Sequence, residues 1–178
     1  YVLFPVPLAL TVIQILAIDL GTDIVPSMAL GQEPPDPAEM ERPPRSREQG
    51  LLSFPLVAHS YLFLGLIEAL WSLSLFFLVL TRGGWEWGDM PSAHDPLYQS
   101  ATGVALASIL LMQIGNLIGR RYPYRSGLDR GLLRNRLMLA GIVVQVIFSW
   151  AVLYAAPVQA VLGTGPVSLD VYALAWLG

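Results

Sequence analysis

Asp19 and Asp23 stand four residues apart in Ile18-Asp19-Leu20-Gly21-Thr22-Asp23-Ile24-Val25-Pro26, inside an otherwise apolar run. On a helix, positions i and i+4 lie one above the other, so both carboxylates share a face. Pro26 has no N–H, and its ring clashes with the carbonyl four residues back, that of Thr22, which is thereby released from the helical ladder. Gly21 lets the backbone bend there at low cost. Two carboxylates, a hydroxyl and a free carbonyl are ligands that hard cations take, and broken helices at membrane depth are how many transporters build ion sites. The residue types and their spacing therefore point to a cation site on Asp19, Thr22 and Asp23, with the two aspartates as the metal-ligating groups. A role as ordinary helix caps does not suit the flanks. Residues 9–17 are apolar apart from Thr11 and Gln14, and 24–30 are apolar apart from Ser27. A carboxylate at the bilayer centre costs roughly 2.5–3.5 kcal/mol, so two on one helix imply partners.

Three more polar side chains interrupt apolar stretches and form a secondary set. Glu68 lies between Leu-Ile and Ala-Leu pairs, so it must face protein or water or be protonated, and a structural hydrogen bond accounts for it more simply than ligation does. Gln113 and Asn116 are three residues apart on one helical face. Interhelical hydrogen bonding, at about 0.6 kcal/mol on average, and cation ligation both remain open for them. His59 and His94 are too far apart to suggest a metal cluster.

The elements that carry these residues follow from composition. Of 178 residues, 54% are hydrophobic and only 13% charged, where a soluble domain carries about a quarter charged. This is the composition of an all-α membrane protein. Apolar runs mark spans at about 8–30, 54–80, 101–118 and 137–161, with the start of another at 167–178, too short to cross. The reading is a single domain over 1–178, a bundle of four full transmembrane helices plus a truncated fifth, the first helix unwound near Gly21–Pro26. Tyr1 is neither a starting methionine nor part of a basic leader, so the chain reads as a piece of something longer. Absence of cysteine excludes disulfides and thiolate metal sites.

The basic residues are ten arginines and no lysine. Three fall in the loop after the first span (Arg42, Arg45, Arg47) and six after the third (Arg120, Arg121, Arg125, Arg130, Arg134, Arg136), against Arg82 alone after the second. Nine against one on alternate loops is a positive-inside pattern, placing the arginine loops in the cytoplasm and the Trp85–Trp87 loop outside. Topology explains these arginines, and a nucleic-acid partner is not expected.

The run from Ile18 to Pro26, followed by Ala29-Leu30-Gly31, Pro34-Pro35-Asp36, Met40 and Arg42-Pro43-Pro44-Arg45, resembles the sixth transmembrane helix and following loop of P-type cation-transporting ATPases. The group holding the sodium/potassium, proton/potassium and sarcoplasmic calcium pumps is the most similar. The resemblance implies that this is the carboxy-terminal membrane part of a pump in a cell (plasma or inner) membrane, translocating calcium, sodium or potassium by alternating access. Asp19 and Asp23 match the family's cation-ligating carboxylates, and Thr22 the neighbouring hydroxyl and carbonyl ligand. Gln113 matches an eighth-helix glutamine, while Asn116 replaces an aspartate of the sodium/potassium pump. Val144 and Gln145 replace that pump's paired glutamates, so a third, sodium-type site does not carry over. Asp19 differs from the calcium pump's asparagine, and Glu68 from a seventh-helix glutamine. By the same resemblance, the transported cation and the lipid bilayer are partners, as are the remaining pump domains and helices one to five. Mg2+ and ATP belong to the full-length enzyme. No cofactor is expected here, and these residues alone, lacking phosphorylation and nucleotide domains, should not hydrolyse ATP. The alternative from another class is a non-catalytic multi-span scaffold or regulatory subunit.

Overall fold

The computed structural model describes residues 5–21, 24–33, 54–122, 127–128 and 131–178. Helices α1 (Val12–Gly21) and α2 (Ile24–Gly31) form the first apolar stretch. The second begins with α3 (Phe54–Ala58), passes through a π-helical segment at His59–Leu64, and continues as α4 (Gly65–Arg82). Then come α5 (Pro96–Gly119), α6 (Arg136–Tyr154), α7 (Ala156–Leu162) and α8 (Leu169–Ala175). All regular structure among the described residues is helical, and four stretches are long and apolar enough to cross a membrane: Val12–Gly31, Leu56–Arg82, Pro96–Gly119 and Arg136–Tyr154.

Helix boundaries follow local chemistry. Asp95 caps α5, its carboxylate accepting from the Leu97 N–H at 2.8 Å, and Pro96 takes the first turn, where its missing N–H costs nothing. Asn135 caps α6 by accepting from the Met138 N–H at 3.0 Å. The fourth span stops at Tyr154 instead of running to residue 161: Pro157 disfavours helical backbone before it, Ala155 is extended (φ −96°, ψ 110°), and a separate short helix follows. That helix ends at Gly163 in the left-handed conformation (φ 64°), which glycine adopts freely. The expected unwinding of the first helix falls chiefly on Thr22 and Asp23, which lie outside the described residues. Ile24, Val25 and Pro26 are helical, so Pro26 sits in the first turn of α2.

Helix α5 is the central element. It buries Ala101, Val104, Ala105, Leu106, Ala107, Leu110 and Leu111 along its length. Leu75, Phe76, Val79 and Leu80 of α4 pack against it on one side, with Val171 and Ala175 of α8. Ile18 of α1, Val152 of α6 and Leu162 of α7 pack on the other. Small residues let neighbours approach closely. The Ser72 hydroxyl donates to the Ala105 carbonyl across the α4–α5 seam at 3.2 Å.

The polar contacts at the two ends of the bundle separate cleanly. At one end the Tyr98 hydroxyl donates to the Leu8 carbonyl (2.8 Å), Ser100 to the Pro166 carbonyl (2.8 Å), and Arg82 pairs with Asp170 (2.8 Å). At the other, Glu33, Arg121, Tyr122 and Asn135 meet. The ends of α2 and α5 and the start of α6 thus share one side, as the arginine distribution requires. Cysteines introduced at Ser46 and Ser126, in the two arginine-rich loops, are expected to react with an impermeant maleimide only from the cytoplasmic side, and one at Ser92 only from outside. Reaction of Ser46 and Ser92 cysteines from the same side would rule out this arrangement.

Candidate functional site

Gln14 sets the orientation of α1. Its carboxamide oxygen accepts from the Thr11 N–H at 3.0 Å, its amide donates to the Leu162 carbonyl at 3.0 Å, and it is fully buried. One turn later Ile18 is buried against Leu106, Leu110, Val152 and Leu162. These two residues point α1 at α5, α6 and α7, which leaves Asp19, the next residue, exposed. The rest of that outer face is apolar: Val12 is 75% exposed and Leu20 69%. Of the predicted cation ligands, Asp19 is therefore placed on the outward face of α1, while Thr22 and Asp23 lie outside the described residues. In the sequence Gln14 is an interruption of an apolar run, and its spacing of four from Ile18 is the signal that it shares the buried face.

The secondary set divides in two. Gln113 meets Gln145 of α6, whose amide donates to the Gln113 carboxamide oxygen at 3.4 Å. Gln145 is buried, and its own carboxamide oxygen has no partner. Asn116 instead lines a cavity of about 730 Å³ together with Glu68, His59, Arg120 and Tyr122. Positions three apart share a face loosely, about 60° apart, and here α6 covers one and the α4–α5 groove receives the other. Among the described residues, no three His, Cys, Asp or Glu side chains cluster as a metal site would require.

A polar knot at the arginine-rich end was not foreseen. Glu33, just past α2, receives hydrogen bonds from Arg121 (Nε to Oε1, 3.1 Å, and also from Nη2), from the Tyr122 hydroxyl (3.1 Å) and from Asn135 Nδ2 (2.6 Å). Asn135 also donates to the Ala29 carbonyl at 3.2 Å while capping α6, so one side chain joins two helices. Arg121 Nη1 donates to the Gly127 carbonyl. The Arg121 side chain is 0% exposed and that of Glu33 7%. Burial by itself pushes the Glu33 carboxyl up, but the hydrogen bonds from Arg121, Asn135 and Tyr122 and the guanidinium charge outweigh it, so the carboxyl is held below the usual glutamate value.

The comparisons agree with this architecture. The family described as cation transporting ATPase, C-terminus, matches residues 7–177. The potassium-transporting ATPase alpha chain 2 of Homo sapiens is 32% identical over 179 residues, covering 86% of this chain and 17% of the relative. The sodium/potassium-transporting ATPase subunit alpha-4 of Rattus norvegicus is 25% identical over 195 residues, covering 96% of this chain and 19% of the relative. Subunit alpha-2 of Homo sapiens is 27% identical over 168 residues, covering 80% and 16%. The chain spans about a sixth to a fifth of the length of these relatives. With the match running from the approach to α1 to the end of α8, this chain belongs to the cation-transporting ATPase C-terminal family.

Proposed function

We propose that this chain is the membrane part of an ATP-driven cation pump and that Asp19, Thr22 and Asp23 ligate the transported ion. The observation that carries the reading is a carboxylate on α1 inside a membrane-length helical stretch, four residues before a second carboxylate, in a chain of this family. A carboxylate facing hydrocarbon within a membrane span is costly without partners. The outward face of α1 around Asp19 is therefore where other helices of the pump, or the water-filled ion path, lie. The cation is substrate: it exchanges its hydration shell for carboxylate, hydroxyl and carbonyl oxygens. The full-length protein would supply the Mg2+ and ATP chemistry from its remaining domains. A remote change of state would tilt this helix and alter the number and exposure of those oxygens, giving access from alternate sides.

The test is ATPase activity of the full-length protein titrated with sodium, potassium, calcium and protons. Stimulation by one cation that is lost in Asp19→Asn/Asp23→Asn supports the reading. Undiminished stimulation in that double variant would place the site elsewhere.

A further inference from the structure

We propose that Glu68 is a proton-binding site, loaded from the cytoplasmic side and separate from the Asp19–Asp23 helix. Glu68 is the one carboxylate in the Leu56–Arg82 span. It borders two cavities, one of about 730 Å³ and one of about 340 Å³. The larger reaches Arg120 and Tyr122, at the arginine-rich end; the smaller reaches Ala9 and Leu10, toward the opposite end, and is apolar apart from Glu68 and Ser72. One ionisable group therefore stands on the wall common to a larger cavity that carries polar side chains toward the arginine-rich end and a smaller, almost wholly apolar pocket beyond it.

The backbone is shaped to produce this. His59 and Glu68 are nine residues apart, which in an uninterrupted α-helix sets them about 180° apart, on opposite faces. The π-helical segment His59–Leu64 intervenes, with the Gly65 N–H bonded to the Ser60 carbonyl five residues back. A π turn accommodates one extra residue, which lowers the separation to about 80° and brings both side chains to one cavity. Facing them, Gly115 and Gly119 of α5 leave open space: a Cβ built on either meets nothing within 4 Å. At the mouth, Arg120 Nη2 donates to the Ser60 hydroxyl at 3.2 Å.

The ligand is identified by charge and donor count. A hard metal cation takes about six to eight oxygen ligands. Among the described residues, the cavity offers one carboxylate, the Asn116 carboxamide, the His59 ring and the Tyr122 hydroxyl beside the Arg120 guanidinium, fewer side-chain oxygens than such an ion takes. A proton needs one acceptor, and neutralising Glu68 also removes the cost of a charge at membrane depth. The step is a simple transfer: hydronium or water on the cytoplasmic side gives up H+, and a Glu68 carboxylate oxygen gains it. Among the described residues, the other titratable or charged groups on the cavity walls are His59 from the π segment, Arg120 at the end of α5, and Tyr122 beyond it.

The proposal rests on the pump reading for its role in transport, so the test has one arm independent of pumping. Full-length protein in lipid nanodiscs is treated with a hydrophobic carbodiimide, which modifies protonated carboxyls, and the Glu68 peptide is followed by mass spectrometry between about pH 5.5 and about pH 8.5. The adduct is expected to fall by about tenfold per pH unit above its midpoint, to vanish in Glu68→Gln and to persist in Glu68→Asp. A yield that is nil or flat with pH overturns the proposal. In the second arm, the pH profile of cation-stimulated ATPase should lose one limb in Glu68→Gln and keep it in Glu68→Asp; an unchanged profile in Glu68→Gln also overturns it. Titrating carbodiimide labelling in a protein without cation-stimulated ATPase would instead sink the pump reading and leave the proton site standing.

Discussion

Asp23→Asn in the full-length protein is expected to raise the half-saturating concentration of the transported cation at least about tenfold, a change of about 1.4 kcal/mol, more than Asp19→Asn, Glu68→Gln or Asn116→Ala. Asp23 immediately precedes α2, three residues before Pro26, which offers no N–H to the Thr22 carbonyl. In the proposed site the Thr22 carbonyl would then join the Asp23 carboxylate as a ligand. Asp19 lies one turn earlier, within α1, where the asparagine of the calcium pumps suggests that a carboxamide oxygen suffices. The asparagine variant keeps the shape and removes one negative charge. At a separation of ~4 Å and an effective dielectric of ~20, a unit charge pair is worth about 4 kcal/mol, so losing even part of it accounts for the tenfold weakening. Titration of ATPase activity with the stimulating cation gives the comparison. If Asp23→Asn left the half-saturating concentration unchanged while Glu68→Gln raised it strongly, the cation site would belong to the second span.

The second large effect concerns stability. Arg121→Met is expected to destabilise the folded membrane region by about 3–5 kcal/mol, because it strands the Glu33 carboxylate among buried neighbours. Replacing both partners, Glu33→Gln with Arg121→Met, should recover much of that loss, since no buried charge remains uncompensated. The Glu33 carboxyl is held below the usual glutamate value in the folded state. Its contribution is therefore complete above the ordinary carboxylate range and declines as pH falls through the lower folded-state value. Thermal unfolding of detergent-solubilised protein should show an acid-induced loss of stability that is smaller in Glu33→Gln than in the parent. An Arg121→Met variant as stable as the parent would show that the knot contributes nothing to the fold.

What the sequence makes legible here is what depends on neighbours along the chain. Runs of apolar residues mark the four spans, because crossing about 30 Å of hydrocarbon needs an unbroken apolar stretch. Alternating arginine counts order the loops. Pro157 carried enough information to end the fourth span at Tyr154, but an apolar run continuing to Val161 hides a helix break that only backbone geometry reveals. The π segment is less legible still: His59-Ser60-Tyr61-Leu62-Phe63-Leu64 has no composition that marks it. The Glu33–Arg121 pair joins residues 88 apart in sequence, and the arginine explained by topology gave no hint of its buried partner. Gln113 and Asn116, alike in sequence, part company because α6 brings Gln145 to one of them only.

The position of α5 has a consequence for biogenesis. Alanine, glycine, serine and threonine are interspersed among its buried leucines, and Gln113 and Asn116 lie toward its far end, so by itself it is less suited to hydrocarbon than the leucine-rich helix before it. Part of its cover is already made when it leaves the ribosome: α1 supplies Ile18, and α4 supplies Leu75, Phe76 and Leu80. The rest arrives later: Val152 and Gln145 from α6, then Leu162 of α7 and Val171 and Ala175 of α8. A nascent chain halted between these two helices therefore holds α5 half-sheathed beside the insertion machinery. The settled state of α5 in the bilayer therefore begins with the synthesis of α6 and is complete only when α7 and α8 have followed.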